Sequence, residues 1–257
     1  MRVKKLILAT TAVGALALSA GAAAADPTGW YGGVDVGRHW ADVSTVGNGR
    51  DVDFETREDW ANFIRLGYKF DQNWRVEVEG GYRKAHLGAV SVSGALGGIC
   101  NVTSAAADCD DPQGSIDSMT AMVNVIYDFG DDTWSMRPFV GLGAGANIVD
   151  TGYLGRYDGA RTVEASSYDT SKELAAQALA GLGWSLTDRL TMDLTYRYLV
   201  SNVSFVSFSR PTTAASPNFD LGEREGRYED HSVSLGLRYA FGAVEEEYTA
   251  PPPPPPL

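Results

Sequence analysis

The segment from His231 to Gly242, H-S-V-S-L-G-L-R-Y-A-F-G, alternates without a break. Val233, Leu235, Leu237, Tyr239 and Phe241 share one side; Ser232, Ser234, Gly236, Arg238 and Ala240 share the other. A period of two over such a length selects a strand and excludes a helix, whose apolar period is near 3.6. One side is wholly apolar and ends in two aromatics, while the other is small, polar or charged. Such a strand either turns its apolar side to lipid and its polar side to a lumen, or buries the apolar side in a soluble barrel or sandwich.

The same alternation recurs at Trp30–Trp40, Trp60–Phe70, Trp74–Arg83, Ser115–Phe129, Arg137–Asn147, Leu174–Ser185 and Leu190–Val200. The alanines of Leu174–Ser185 suit a helix as well, but the clean strand across the turn at Leu186–Arg189 decides for a strand. Short turns (Asp71-Gln72-Asn73, Gly130–Ser135, Leu186–Arg189) alternate with long polar stretches, Ala41–Glu58, His86–Gly114, Ile148–Lys172 and Ser201–Asp230, which are expected to be loops. One rim therefore carries turns and the other loops. Trp30, Tyr68, Phe70, Trp74, Tyr127, Phe129, Trp184, Tyr239 and Phe241 fall near the turn rim; Trp40, Trp60, Tyr82 and Tyr198 fall near the loop rim. A soluble barrel has no reason to sort aromatics by height, whereas a lipid-facing surface does. The expected fold is all-β: an eight-stranded antiparallel up-and-down transmembrane β-barrel over residues 26–242.

Residues 1–25 read as a signal peptide, with Arg2, Lys4 and Lys5 before an apolar run and Ala23-Ala24-Ala25 before Asp26. Residues 243–257 read as an acidic, proline-rich linker, stiff because Pro251 to Pro256 favour an extended helix. The formal charge of -12 argues against nucleic acid as a partner. The 2 cysteines, Cys100 and Cys109, most simply close a loop disulfide in an exported chain.

By strand parity the lumen face carries Asp35, Arg65, Arg75, Glu77, Glu79, Arg83, Asp193, Arg197 and Arg238. Both signs are present, so a self-satisfying ion-pair network is expected, with Asp193 against Arg238 and Arg65 against Glu79 or Glu77. A narrow gated pore is the sharper alternative. Gly141, Gly143 and Gly145 have the wrong spacing for a nucleotide-binding fingerprint and read as close packing in the lumen. His39, His86 and His231 lie at or near the loop rim. A lipid-modifying enzyme built on such a histidine and a serine is a third reading, but His39 faces the lumen and the serines show no pattern. No catalytic, cofactor-binding or metal site is assigned, and the chain reads as a non-enzyme.

Three stretches resemble the N-terminal transmembrane domain of the outer membrane protein A (OmpA) family. They are Trp30-Tyr31, the hairpin W-S-L-T-D-R-L-T-M-D-L-T-Y from Trp184 to Tyr196, and S-L-G-L-R-Y-A-F-G from Ser234 to Gly242 before the proline-rich exit. The resemblance implies a Gram-negative outer-membrane barrel with extracellular loops, both termini in the periplasm and a structural, anchoring role. It implies outer-membrane lipid and lipopolysaccharide as surroundings, a monomer, and assembly machinery that reads Tyr239 and Phe241 as an insertion signal. Peptidoglycan would be gripped only by a further domain missing from this chain. The family's charged lumen gate is matched at Glu79 alone: Asn124 and Asp193 stand where it has basic residues, and Gly183 where it has an acidic one.

Overall fold

The computed structural model describes residues 28–47, 49–93, 97–101, 112–131, 134–157, 160–211 and 222–241. Residues 1–25, read above as a signal peptide, lie outside the described residues, as do Cys109 and the proline-rich segment. The strands are β1 (Gly29–Gly47), β2 (Arg50–Thr56), β3 (Asp59–Lys69), β4 (Trp74–Val92), β5 (Gly97–Cys100), β6 (Gln113–Asp128), β7 (Met136–Tyr157), β8 (Ala160–Ser185), β9 (Leu190–Pro211) and β10 (Gly222–Ala240). All pairings are antiparallel, and β10 closes on β1 from Tyr31↔Ala240 to Val46↔Glu225. The ten segments fill eight places in the ring. β2 and β3 both lie between β1 and β4, and β5 and β6 both lie between β4 and β7. The expected eight limbs are thus present, with two of them broken in mid-course.

The turn-side half follows the expected polarity. Ile64, Leu66, Val78, Val123, Val125, Val140, Leu142, Leu235 and Leu237 face outward and are exposed, Leu142 by 72%. Aromatics bound this belt. Trp30, Tyr68 and Phe70 pack edge to face at one end, as do Trp74, Tyr127 and Phe129, and Tyr239 and Phe241. Trp40, Trp60 and Tyr82 mark the other end. An apolar surface closed around the whole ring is unstable in water and suits lipid. From Leu190 to Tyr198 the rise is roughly 20 Å at ~3.3 Å per residue and a tilt of ~40°, close to the depth of such a belt.

Beyond the second aromatic ring the polarity inverts, and much of what was expected as loop is strand among the described residues. Nearly all of Ala41–Glu58, Ile148–Lys172 and Ser201–Asp230, where described, is strand. The inward positions become apolar, in step with the lumen face except on β4, which slips by one residue between Leu87 and Val90: Ala41, Val43, Val52, Phe54, Leu87, Val90, Ile99, Tyr153, Tyr157, Val203, Phe205 and Tyr228 are buried together. Phe54 meets Tyr153 and Phe205 at ring-centre distances of 5.5 and 5.7 Å. Outward positions turn polar, as at Asp42, Asp51, Asp53, Glu55, Glu223 and Glu225. This half is built like a water-soluble barrel with a filled core. Arg224 caps it: its guanidinium is buried and donates to the carbonyls of Gly47, Thr45 and Arg50 at 3.0, 3.1 and 2.6 Å. From Tyr198 to Pro211 the rise is roughly 30 Å on the same geometry.

One seam of the wall is parted. β8 pairs with β9 from Val163↔Pro211 to Ser166↔Phe208 and again from Ala175↔Ser201, with a register shift between. Side chains bridge the gap. Ser171 Oγ accepts the Ser204 N–H at 3.1 Å, Asp169 Oδ2 accepts the Val206 N–H at 3.0 Å, and Ser167 Oγ donates to the Val206 carbonyl at 2.8 Å. The bridges leave fewer orphan backbone donors in the wall.

Candidate functional site: the lumen network and the outer rim

Inside the belt the lumen is filled by charge. Arg65 on β3 is the hub: its guanidinium meets Asp35 at 2.7 Å, Asp193 at 3.1 Å and Glu77 at 3.3 Å. Arg197 on β9 bridges Asp35 at 2.7 Å and Glu79 at 2.9 Å, and donates to Ser234 at 2.6 Å. Arg238 meets Asp193 at 3.2 Å, and Gln177 donates to both Glu79 and Asn124 at 3.0 Å. Toward the turn end Arg75 meets Asp128 at 3.1 Å. The arginines also stack on lumen aromatics: Arg197 and Arg83 over Phe63 at 4.0 and 4.8 Å, and Arg75 over Phe139 at 4.8 Å. Buried ions are tolerable only when opposite charges and donors saturate them, and this arrangement largely does so. Glycines make room for it. A side chain at Gly143 would strike Asn124, and one at Gly236 would strike the Asp35 carboxylate.

All the sequence-selected charges, Asp35, Arg65, Arg75, Glu77, Glu79, Arg83, Asp193, Arg197 and Arg238, are buried on the lumen side. Asp193 and Arg238 come together. Arg65 has Glu79 as its cross-strand neighbour, yet its ion pair goes to Glu77 and leaves Glu79 to Arg197. Asp128, Lys69, Gln177 and Asp230 were not in that set. Asp128 was visible by parity on β6, whereas Asp230 was hidden in a stretch read as loop. At the turn end the space between Asp128, Arg137, Gly183, Thr191 and Arg238 measures about 10 Å³, room for about one water. Cys100 is disulfide-bonded.

A polar layer marks the inversion. His39 Nδ1 lies 2.7 Å from Asp230 Oδ2, and its Nε2 lies 2.7 Å from the Lys84 carbonyl. Arg83 Nε is 3.0 Å from the other oxygen of Asp230. Across the lumen Ser118 donates to Asn147 at 2.7 Å, and Asn147 to Ser201 at 2.9 Å. His39 is therefore a satisfied core histidine. His86, expected in the loop His86–Gly114, stands on β4, and His231, expected to open the closing strand, stands on β10; both face outward. His231 stacks on Trp40 at 5.5 Å and accepts from or donates to Tyr196 Oη at 2.7 Å. His86 Nδ1 bonds to Asp59 Oδ2. Partial burial raises the Asp59 carboxyl, but the Trp60 N–H and His86 outweigh it and hold the group below the usual carboxylate range.

A closed ring with an apolar outer belt, twin aromatic borders and a charged lumen is the construction of an outer-membrane barrel. The sequence pattern of the outer membrane protein beta-barrel domain family matches residues 9–241. The chain belongs to that family. An uncharacterized protein of Haemophilus influenzae is 29% identical over 205 residues, covering 79% of this chain and 94% of its own. Among solved structures, this outer-membrane barrel is similar to OprG of Pseudomonas aeruginosa, with 14% identity, 87% of this chain and 100% of that one covered, and a TM-score of 0.48. It is also similar to Neisserial surface protein A, with 17% identity, 83% and 98% covered, and a TM-score of 0.43. Membership of the family places the barrel in the Gram-negative outer membrane.

Proposed function

We propose that this outer-membrane barrel is a structural and recognition protein of the envelope: a plugged membrane ring that carries a rigid projecting barrel on its outer side. One observation carries the reading. The polarity of the wall inverts at the His39–Asp230 layer, so the strands continue beyond the lipid as a soluble barrel with its own core. The projecting half lifts the strand connections clear of the headgroups, where a partner can reach them. Its acidic sleeve, with Asp42 facing Glu55 on one side and Glu229 on the other, disfavours contact with anionic surfaces and favours standing free. The lumen, filled with paired charges, argues against a conducting role. Anchoring to peptidoglycan, which the family resemblance implies, would need a binding unit attached beyond the proline-rich segment, and the barrel geometry carries none of it.

The orientation is tested by a cysteine at Asp53, treated on intact cells with a maleimide that does not cross membranes. Labelling without permeabilisation is expected. Labelling only after the outer membrane is breached would reverse the orientation and end the recognition reading.

A further inference from the structure

The outer face just beyond the second aromatic ring holds one row of side chains that a structural role leaves unused. Where β2 gives way to β3, the Trp60 N–H donates to Asp59 Oδ1 at 2.8 Å, and the Arg57 N–H donates to the His86 carbonyl at 2.9 Å. These contacts fix the Asp59 carboxylate against β4, where its other oxygen meets His86 Nδ1. With that nitrogen carrying the proton toward the carboxylate, a neutral His86 turns the lone pair of Nε2 outward. Ser115 stands directly opposite His86 in the β4–β6 ladder. Opposed residues on one face have Cβ atoms about 4.5–5.5 Å apart, within reach of a rotamer change. The row then runs on to Gly152 and Tyr168. Gly152 has no side chain, and the space between Ser115 and the Tyr168 ring is a cleft of about 470 Å³ that Asp117, Asp150 and Asp169 also line.

We propose that Ser115, His86 and Asp59 form an acyl-transfer site that hydrolyses carboxylic esters bearing a cationic group. Ser115 Oγ attacks the ester carbonyl as His86 Nε2 takes its proton; the C–O bond to the alcohol breaks, and that proton leaves with the alcohol. Water, deprotonated by the same nitrogen, then attacks the acyl-serine, releases the carboxylic acid and restores the Ser115 hydroxyl. Asp59 is the positioning residue that fixes the histidine tautomer. Lys84, directly opposite Asp117 and diagonal to Ser115, supplies a cation for the oxyanion. Specificity comes from Asp117 and Asp150, which face each other across the β6–β7 ladder. The cleft's three carboxylates, Asp117, Asp150 and Asp169, outnumber Lys84, so its charge stays negative and favours a cationic substrate.

The folded full chain in detergent or lipid would be treated with a fluorophosphonate and the adduct located by mass spectrometry. Hydrolysis of nitrophenyl esters of acyl-arginine and acyl-glutamate would be followed in parallel. The adduct is expected on Ser115, absent in Ser115→Ala and slower by roughly 100-fold or more in His86→Ala. Asp59→Asn should alter the pH profile of labelling, which a merely structural contact would leave in place. Asp117→Asn with Asp150→Asn should remove the preference for the arginine ester while keeping the adduct. Ser115, His86, Asp117 and Asp150 face outward and Asp59 is the partly buried first residue of β3, so the heat-dependent gel shift of a folded barrel serves as the control for each variant. A barrel that shows that shift yet gives no Ser115 adduct, or whose arginine-ester hydrolysis survives Ser115→Ala, overturns the proposal.

Discussion

Replacing Arg197 by Met removes the cation that Glu79 depends on most. Arg197 meets Glu79 at 2.9 Å and Asp35 at 2.7 Å, both fully enclosed. Asp35 keeps Arg65, but Glu79 is left with the amide of Gln177 as its close hydrogen-bond donor. Breaking a buried pair from one side costs about 3–5 kcal/mol because the other charge stays buried. Met still covers the Phe63 ring that the guanidinium stacks on, so the loss is electrostatic rather than a cavity, and about 3 kcal/mol is expected. Converting Glu79 to Gln in the same chain removes the stranded charge, and a coupling of about 1.5–3 kcal/mol should be recovered. Urea unfolding in bilayers, followed by tryptophan fluorescence for the wild type, both single variants and the double, measures this directly. An Arg197→Met variant within ~0.5 kcal/mol of wild type, or additive single effects, would refute the network as a coupled unit.

Other outcomes follow from the two polarities of the wall. Leu235→Arg, in the belt, should cost about 2–4 kcal/mol, whereas Asp53→Arg, outward on the projecting half, should stay within about 0.5 kcal/mol; the same urea titration separates them. Phe54→Ala should cost about 3–5 kcal/mol of packing, and hydrogen exchange should quicken around Tyr153 and Phe205 while the belt strands stay protected. Phe241→Ala should slow assembly into the outer membrane, read as a smaller heat-shiftable fraction in pulse-chase gels. Gly236→Ala should push the Asp35 carboxylate off Arg65 and Arg197 and destabilise the barrel by more than the ordinary gain from losing a glycine, measured by the same unfolding transition.

The belt was legible in the sequence because each strand there shows lipid and lumen in strict alternation, as at Trp74–Arg83 and His231–Gly242. The projecting half was misread because the periodicity persists while its polarity flips. Asp51-Val52-Asp53-Phe54-Glu55 alternates as cleanly as any belt strand, but its short length and acidic outer face read as loop. The same error hid Asp230, and with it the partner of His39 and Arg83. Lumen charges were found by parity, yet which arginine takes which carboxylate depends on side-chain length and on the space that Gly143 and Gly236 leave. The pairing of Arg65 with Glu77 rather than its cross-strand neighbour Glu79 is of that kind. The row from Asp59 to Tyr168 was out of reach for another reason: its members lie on five strands, and only the ring register aligns them.

The central claim is that the wall changes solvent at the His39–Asp230 layer. Nitroxides placed one at a time along the outward face of β10, at Glu225, Arg227, Glu229, Val233, Leu235 and Leu237, would report it through power-saturation with oxygen and with a water-soluble relaxant. Oxygen should dominate at Leu235 and Leu237, and the water-soluble agent at Glu225, Arg227 and Glu229, with the crossover between Glu229 and Val233. Oxygen-dominated relaxation reaching Glu225, or water access at Leu235, would contradict the two-part barrel.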